Sequence, residues 1–213
     1  MSRIRKIAVG AAVVVAAAGV AAAVALGKGA FDTTQSGHSR VAGPVHTVVV
    51  DGDAGSVHFT AAGRAAVEVT HTSSWLFSKP TVRQSLDDGI LYLRSRCSGG
   101  LSCDTDFEVR AAAGTSVEVN EDASDVTVQG APGDVTVKTD AGRIHVDVTR
   151  APNRIHAETD AGTVHVVVPR GVYAVDTRTA AGSETVRGLV RSDGAARTIE
   201  ARSDAGDVTV EAR

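Results

Sequence analysis

The amino-acid sequence predicts an all-β fold, a single-stranded β-solenoid set behind an N-terminal membrane or export segment. Three observations predict it. Valine occurs 34 times and leucine 7 times in 213 residues, and the stiff χ1 of valine suits a pleated strand better than a helix. A short phrase, Asp-Ala-Gly-x-[Val/Ile]-x-Val, returns along the chain. An uncharged run of 20 residues, Ile7 to Leu26, follows Arg3, Arg5 and Lys6.

Residues 1–27 are expected to be a signal anchor or a signal peptide. The apolar run is long enough to cross a bilayer core as a helix, whereas a secretory apolar region usually has ~7–15 residues. The small residues of Ala23-Val24-Ala25 also offer a cleavage site. Under either reading the basic flank stays inside and the body is exported. The expectation is therefore a single-pass cell-membrane protein with an extracytoplasmic C-terminal body, or a secreted body after cleavage. Residues 28–44 are polar, small and aperiodic, and read as a linker.

The body is expected over residues 45–213. Residues 45–120 read as an irregular opening or cap, with strands at Val45–Val50, Val67–Thr72, Ile90–Arg94, Phe107–Arg110 and Ser116–Val119. The two cysteines, Cys97 and Cys103, close a small flexible loop. In an oxidising exterior they read as a disulfide worth about 2 kcal/mol; a pair of free thiols is the alternative. A metal or CxxC redox pair does not fit the spacing.

Residues 121–213 carry the regular repeats. Copies of the phrase start at Asp53, Asp140, Asp160 and Asp204, with degenerate copies at Asp122 and Ala180. From residue 122 onward the starts step by 18, 20, 20 and 24. Around each phrase the residues alternate apolar and polar, the period of a strand with one buried face. The glycines Gly55, Gly142, Gly162, Gly182 and Gly206 supply corners, and the aspartates are expected to accept backbone N–H bonds there. Two architectures fit: parallel rungs stacked as a solenoid, or an array of hairpins in a sandwich. The constant step and the inward pairs Val126/Val128, Ile144/Val146, Val164/Val166 and Val208/Val210 favour the solenoid.

These repeats, the stretches Phe107–Arg110 and Gly114–Val119, and the N-terminal apolar run resemble the DUF4097 family, whose members are ascribed to adhesion and are related to the toastrack domains of envelope-stress proteins. The resemblance covers about residues 42–213, with Ala112-Ala113-Gly114 where the family usually has Pro-x-Gly. It implies an exported, right-handed β-solenoid and no established activity.

Candidate chemistry is sparse. His145 and His165 are expected on adjacent rungs, facing outward with His58 at the same repeat position; stacked imidazoles can bind zinc or report pH, but a solvated strand position, filled by Thr127, Thr185 and Thr209 in other copies, is the preferred reading. The aspartates Asp122, Asp140, Asp160 and Asp204 would form a column that calcium could use, yet the Gly-Gly-x-Gly-x-Asp pattern of repeat calcium sites is absent. No catalytic residue, cofactor or metal site is therefore assigned. Trp75, Leu76 and Phe77 read as a cap over the open end, with a partner-contact loop or membrane-surface anchor as the alternative. A net charge of −3 and seven aromatic residues argue against nucleic acid as a partner. The expected function is a non-catalytic envelope scaffold, adhesin-like, presenting a polar face to a protein or envelope partner. An envelope-stress sensor is the alternative, and a carbohydrate-active enzyme comes third.

Overall fold

The computed structural model describes residues 33–63, 66–98 and 103–213. The expected anchor or signal peptide, residues 1–27, lies outside the described residues. So do the first five residues of the expected linker, 28–32.

The described chain is all-β, with its strands joined in one large, mostly parallel sheet. Its repeating unit is a layer of two short strands meeting at a corner, or one long strand bent through that corner. The long ones are β2 (Thr47–Ala62) and β7 (Ser116–Gly130). The divided layers are β8 (Val135–Ala141) with β9 (Ile144–Val148), and β10 (Arg154–Ala161) with β11 (Val164–Val168). Two more are β12 (Val172–Ala181) with β13 (Glu184–Arg187), and β15 (Thr198–Ala205) with β16 (Val208–Ala212). A short β14 (Val190–Arg191) lies between the last two in sequence.

Parallel pairing keeps equivalent residues in register from layer to layer. Val117 stands opposite Val135, Val135 opposite Ile155, and Ile155 opposite Ile199. Beyond the corner, Val126, Ile144, Val164 and Val208 line up in the same way. All of these are at most 2% exposed, so the four expected inward pairs lie in the core. Each fully buried valine contributes roughly 1.5 kcal/mol or more of burial free energy. The hairpin array is excluded for the repeats, because their ladders are parallel.

The layers do not stack in sequence order. The last layer, β15/β16, lies between β10/β11 and β12/β13: Ala157 pairs with Ala201, and Ala201 with Thr177. On the other ladder Val166 pairs with Val210, and Val210 with Val186. The copy at Ala180 is thus the terminal layer, although it precedes the Asp204 copy by one full step. This corrects the expectation of a coil wound one rung after another.

The expected irregular opening is also largely in register. Strands β5 (Ile90–Arg96) and β6 (Cys103–Ala112) form one further layer, parallel to the two halves of β2. The Cys97–Cys103 disulfide is formed and stands at the corner of that layer, with 6.0 Å between the Cα atoms. Outside it the direction reverses. Strands β3 (Val67–Trp75) and β4 (Thr81–Asp87) pair antiparallel with β6 and β5. The β4–β5 turn uses Asp88 and Gly89, both at positive φ, the backbone of a tight type I′ hairpin.

Most of the expected linker is a strand. Residues 33–41 form β1 (Thr33–Val41), antiparallel to β3 along its whole length. Its sequence, TTQSGHSRV, hides the strand because an outermost strand needs no alternating apolar face; Val41 alone in it is buried.

The corners explain the glycines. Gly142, Gly162, Gly206 and Gly182 all have φ between +133° and +159°, a region L side chains rarely adopt. A Cβ at any of them would collide with the corner carbonyl of the neighbouring layer. Those carbonyls accept hydroxyl hydrogen bonds from the position just before the phrase. Ser203 Oγ donates to Gly162 O and Thr179 Oγ1 donates to Gly206 O, both at 2.8 Å.

Candidate functional site

Of the expected corner aspartates, Asp53 alone accepts a backbone N–H among the described residues. Asp140, Asp160 and Asp204 are exposed, and their carboxylates make no hydrogen bond among the described residues. The acceptors stand three positions later in the repeat: Asp125 Oδ1 takes the Arg143 N–H, and Asp207 Oδ1 takes the Ser183 N–H, each at 2.8 Å. The Arg143 guanidinium and the Ser183 hydroxyl, with those N–H bonds, hold the Asp125 and Asp207 carboxyls below the usual carboxylate range. Asp53 differs from the other copies, its Oδ2 accepting the Cys97 N–H at 2.7 Å. Asp122, Asp140, Asp160 and Asp204 do form a column, set by the flanking registers. Nothing in the structure explains aspartate there over another polar residue.

His145 and His165 stand on adjacent layers as expected, with ring centroids 5.1 Å apart. Burial and the neighbouring His165 lower the pKa of His145. His165 Nε2 bonds Glu211 Oε1 at 3.0 Å, which together with Arg187 depresses the Glu211 carboxyl. His58 is separated from this pair by Thr127, since β7 lies between. Among the described residues no group of three or more His, Cys, Asp or Glu side chains could hold a metal ion.

The side chains that converge most closely lie on the other outer face. Parallel register stacks Thr136, His156, Glu200 and Asp176 in one column. Lys138, Glu158, Arg202 and Arg178 form the next. His156 bridges two carboxylates, with Nδ1 at 2.9 Å from Glu200 and Nε2 at 3.0 Å from Glu158. Arg202 Nη2 donates to Asp176 at 3.0 Å and also pairs with Glu200. Lys138 Nζ lies 3.4 Å from Glu158.

Burial alone would raise the Glu158 carboxyl, but the bonds from His156 and Lys138 outweigh it and its pKa falls. The Arg202 bond holds Asp176 low as well. The columns floor a groove of about 600 Å³ that Arg154, Ala174 and Asp193 help to wall. Chemically it offers fixed charges of both signs and a polarised imidazole to a polar ligand. The alternation phase marks His156 and Glu158 outward on one strand, but Glu200 reaches His156 only through the unexpected stacking order.

One buried carboxyl was also missed. Glu121 is 5% exposed and sits in the inward phase of Val117 and Val119. Its Oε2 accepts from Ser124 at 3.0 Å, while Oε1 has no partner. Gly52 leaves the space, since a Cβ there would stand 2.6 Å from both Glu121 oxygens and from Ser95 Oγ. Burial, with Asp51, Asp53 and Asp122 nearby, pushes the Glu121 pKa up to about 7.

The Trp75–Phe77 corner lies beside the disulfide corner. Trp75 faces Cys103 across the ladder, and Ser78 Oγ donates to Ser98 O at 2.9 Å. Trp75 and Leu76 are half-buried, whereas Phe77 is 75% exposed.

No family model matches the chain, and no curated protein matches it. Solved structures do. The fold is similar to that of a Clostridium sporogenes protein ascribed to cell adhesion, at 12% identity and a TM-score of 0.66, covering 85% of this chain and 100% of that one. A Bacteroides fragilis protein ascribed to adhesion matches at 10% identity, covering 84% of this chain and 97% of the other, but with a TM-score of 0.35 that decides nothing. At such identities the Clostridium likeness establishes the fold: this chain has the all-β repeat architecture of a protein ascribed to cell adhesion.

Proposed function

We propose that the chain is a non-catalytic scaffold of the cell envelope, a right-handed β-solenoid that is held at the membrane and presents a charged face to a protein or envelope partner. The right hand is part of the proposal; the parallel registers support it in so far as parallel connections favour that hand. The membrane tether is supported by the uncharged run Ile7–Leu26 behind its basic flank. The adhesin-like role is supported by the fold shared with the Clostridium protein.

The observation that carries the reading is the His156 face. Its columns are set by backbone register, so the charges are held in a fixed pattern without an enclosed pocket. Groups such as Arg202 and Glu158 already pair with their neighbours, which suits recognition by charge pattern better than proton transfer. The rim cations Lys138, which pairs with Glu158, and Arg154 are exposed and stand where a partner would meet them.

The test is binding of the purified protein to intact cells and isolated envelopes. Lys138→Glu combined with Arg154→Glu should lower binding about tenfold, with circular dichroism unchanged. Equal binding by the double variant would remove the face from the account. Hydrolysis of an envelope polysaccharide, abolished by His156→Ala, would replace the scaffold with an enzyme.

A further inference from the structure

We propose that the corner carrying Trp75, Leu76 and Phe77 rests in the headgroup–acyl boundary of the phospholipid bilayer, as a second contact beside the N-terminal tether. The proposal rests on the membrane-tether reading above and adds an orientation to it.

The argument begins with where the chain enters the body. Strand β1 runs antiparallel to β3, and its first residue, Thr33, stands directly opposite Trp75. The apolar run ends at Leu26, and six residues separate it from Thr33. Those residues can reach at most about 24 Å when fully extended. A run that crosses the bilayer therefore keeps the Trp75 corner near the surface from which the chain emerges.

That corner has the chemistry of an interfacial anchor. Phe77 is 75% exposed. Lys79 Nζ lies 5.9 Å from the centre of the Trp75 ring, which places a cation beside the aromatic body. Aromatic rings settle at the headgroup level, and a flanking lysine meets phosphate there. The loop is also fixed in place by the Ser78–Ser98 hydrogen bond to the disulfide corner. Phe77 is thus presented from a braced ridge.

Among the described residues the other exposed large apolar side chains, Val172 and Val190, lie at the opposite end of the stack. The ladder from β3 passes through β6, β2, β7, β9, β11 and β16 before it reaches β13. Seven steps at the usual strand spacing put that end about 34 Å away, beyond a membrane that the Trp75 corner touches.

Trp75 is the sole tryptophan of the chain, so its emission reports this corner alone. The full-length chain is reconstituted into phosphatidylethanolamine–phosphatidylglycerol vesicles, with and without acyl-brominated lipid. The expected result is a blue-shifted emission that loses roughly half or more of its intensity to the brominated lipid. Phe77→Ser and Lys79→Glu should each weaken that quenching without changing flotation with the vesicles. A chain that floats with the vesicles but shows the same Trp75 emission in both lipids overturns the docking and leaves the tether. A chain that does not float overturns the tether, and the docking with it.

Discussion

The layer β10/β11 and the layer β12/β13 carry the same repeat, yet they are built differently. In the first, Ile155, Ala157, Val164 and Val166 are at most 1% exposed. In the second, Val175 and Val186 only lean on the core, and the corner reads Ala180-Ala181-Gly182 with its aspartate lost. One has a layer on each side; the other is the end of the stack. For these two layers, position in the stack, and not position in the sequence, sets how fully the inward side chains are buried.

The end layer also blocks its own edge. Glu184 accepts the Thr179 N–H at 3.3 Å and the Thr177 hydroxyl at 2.7 Å. Arg191 donates to Val175 O at 3.1 Å, and β14 pairs with the first residues of β12. Buried Tyr173 donates its hydroxyl to Pro169 O, closing the preceding turn. Side chains here do what the next layer does elsewhere, which removes an open template for strand addition.

The comparison yields graded predictions. The largest effect is expected from Val146→Asp, which puts an unpaired carboxylate into a position with no exposure. It should cost about 4 kcal/mol or more and abolish cooperative unfolding. Val186→Asp in the end layer should cost about 1 kcal/mol in the same urea titration. Gly162→Ala comes next, at roughly 3 kcal/mol, because its Cβ meets a carbonyl in a layer held from both sides. Gly182→Ala meets a carbonyl too, but its layer can shift outward, and the cost should be about half.

Glu121 gives the pH dependence. Its folded pKa, about 7, is above the ordinary value of 4.5, so the folded state holds the proton more tightly than the unfolded chain. The stability from this group is complete below pH 4.5 and is lost as pH rises through about 7. The loss approaches roughly 3 kcal/mol. Glu121→Gln should flatten that decline and be about 2 kcal/mol more stable than the parent at pH 8. Parallel stability curves for the two proteins would assign the decline elsewhere. The smallest effect on stability is expected from Glu184→Ala, under about 1 kcal/mol. By uncapping the edge, this variant should raise the self-associated fraction in sedimentation, where an unchanged monomer would show that the cap is dispensable.

Much of this architecture is legible in the residues themselves. Alternation marks Val126, Val128, Ile144 and Val146 as inward, and the corner glycines announce themselves because only a residue without Cβ clears the next carbonyl. Glu121 carries the inward phase as well, so its burial was readable, although the space left by Gly52 was not. The stacking order was hidden, since the parallel ladder bonds are made by backbone and leave no mark on the repeat. The His156 face went with it: His156 meets Glu200 across 44 residues, a contact that exists only because the last layer enters the stack before the end one. Strand β1 was hidden for a different reason, because Ser36 and His38 pair with Thr72 and Thr70 through polar side chains and show no apolar rhythm.

The stacking order can be read by cross-linking on the outer face. His165 stands in register with Thr209, and Thr209 with Thr185. Adjacent parallel strands lie about 4.8 Å apart, within disulfide reach, and the second neighbour at about twice that distance is not. Cysteines at positions 165 and 209 should oxidise to an intramolecular disulfide, found as a linked peptide by mass spectrometry, while cysteines at 165 and 185 should stay free. A bond between 165 and 185, with none between 165 and 209, would mean that the layers follow the sequence and would dismantle the inserted-layer architecture.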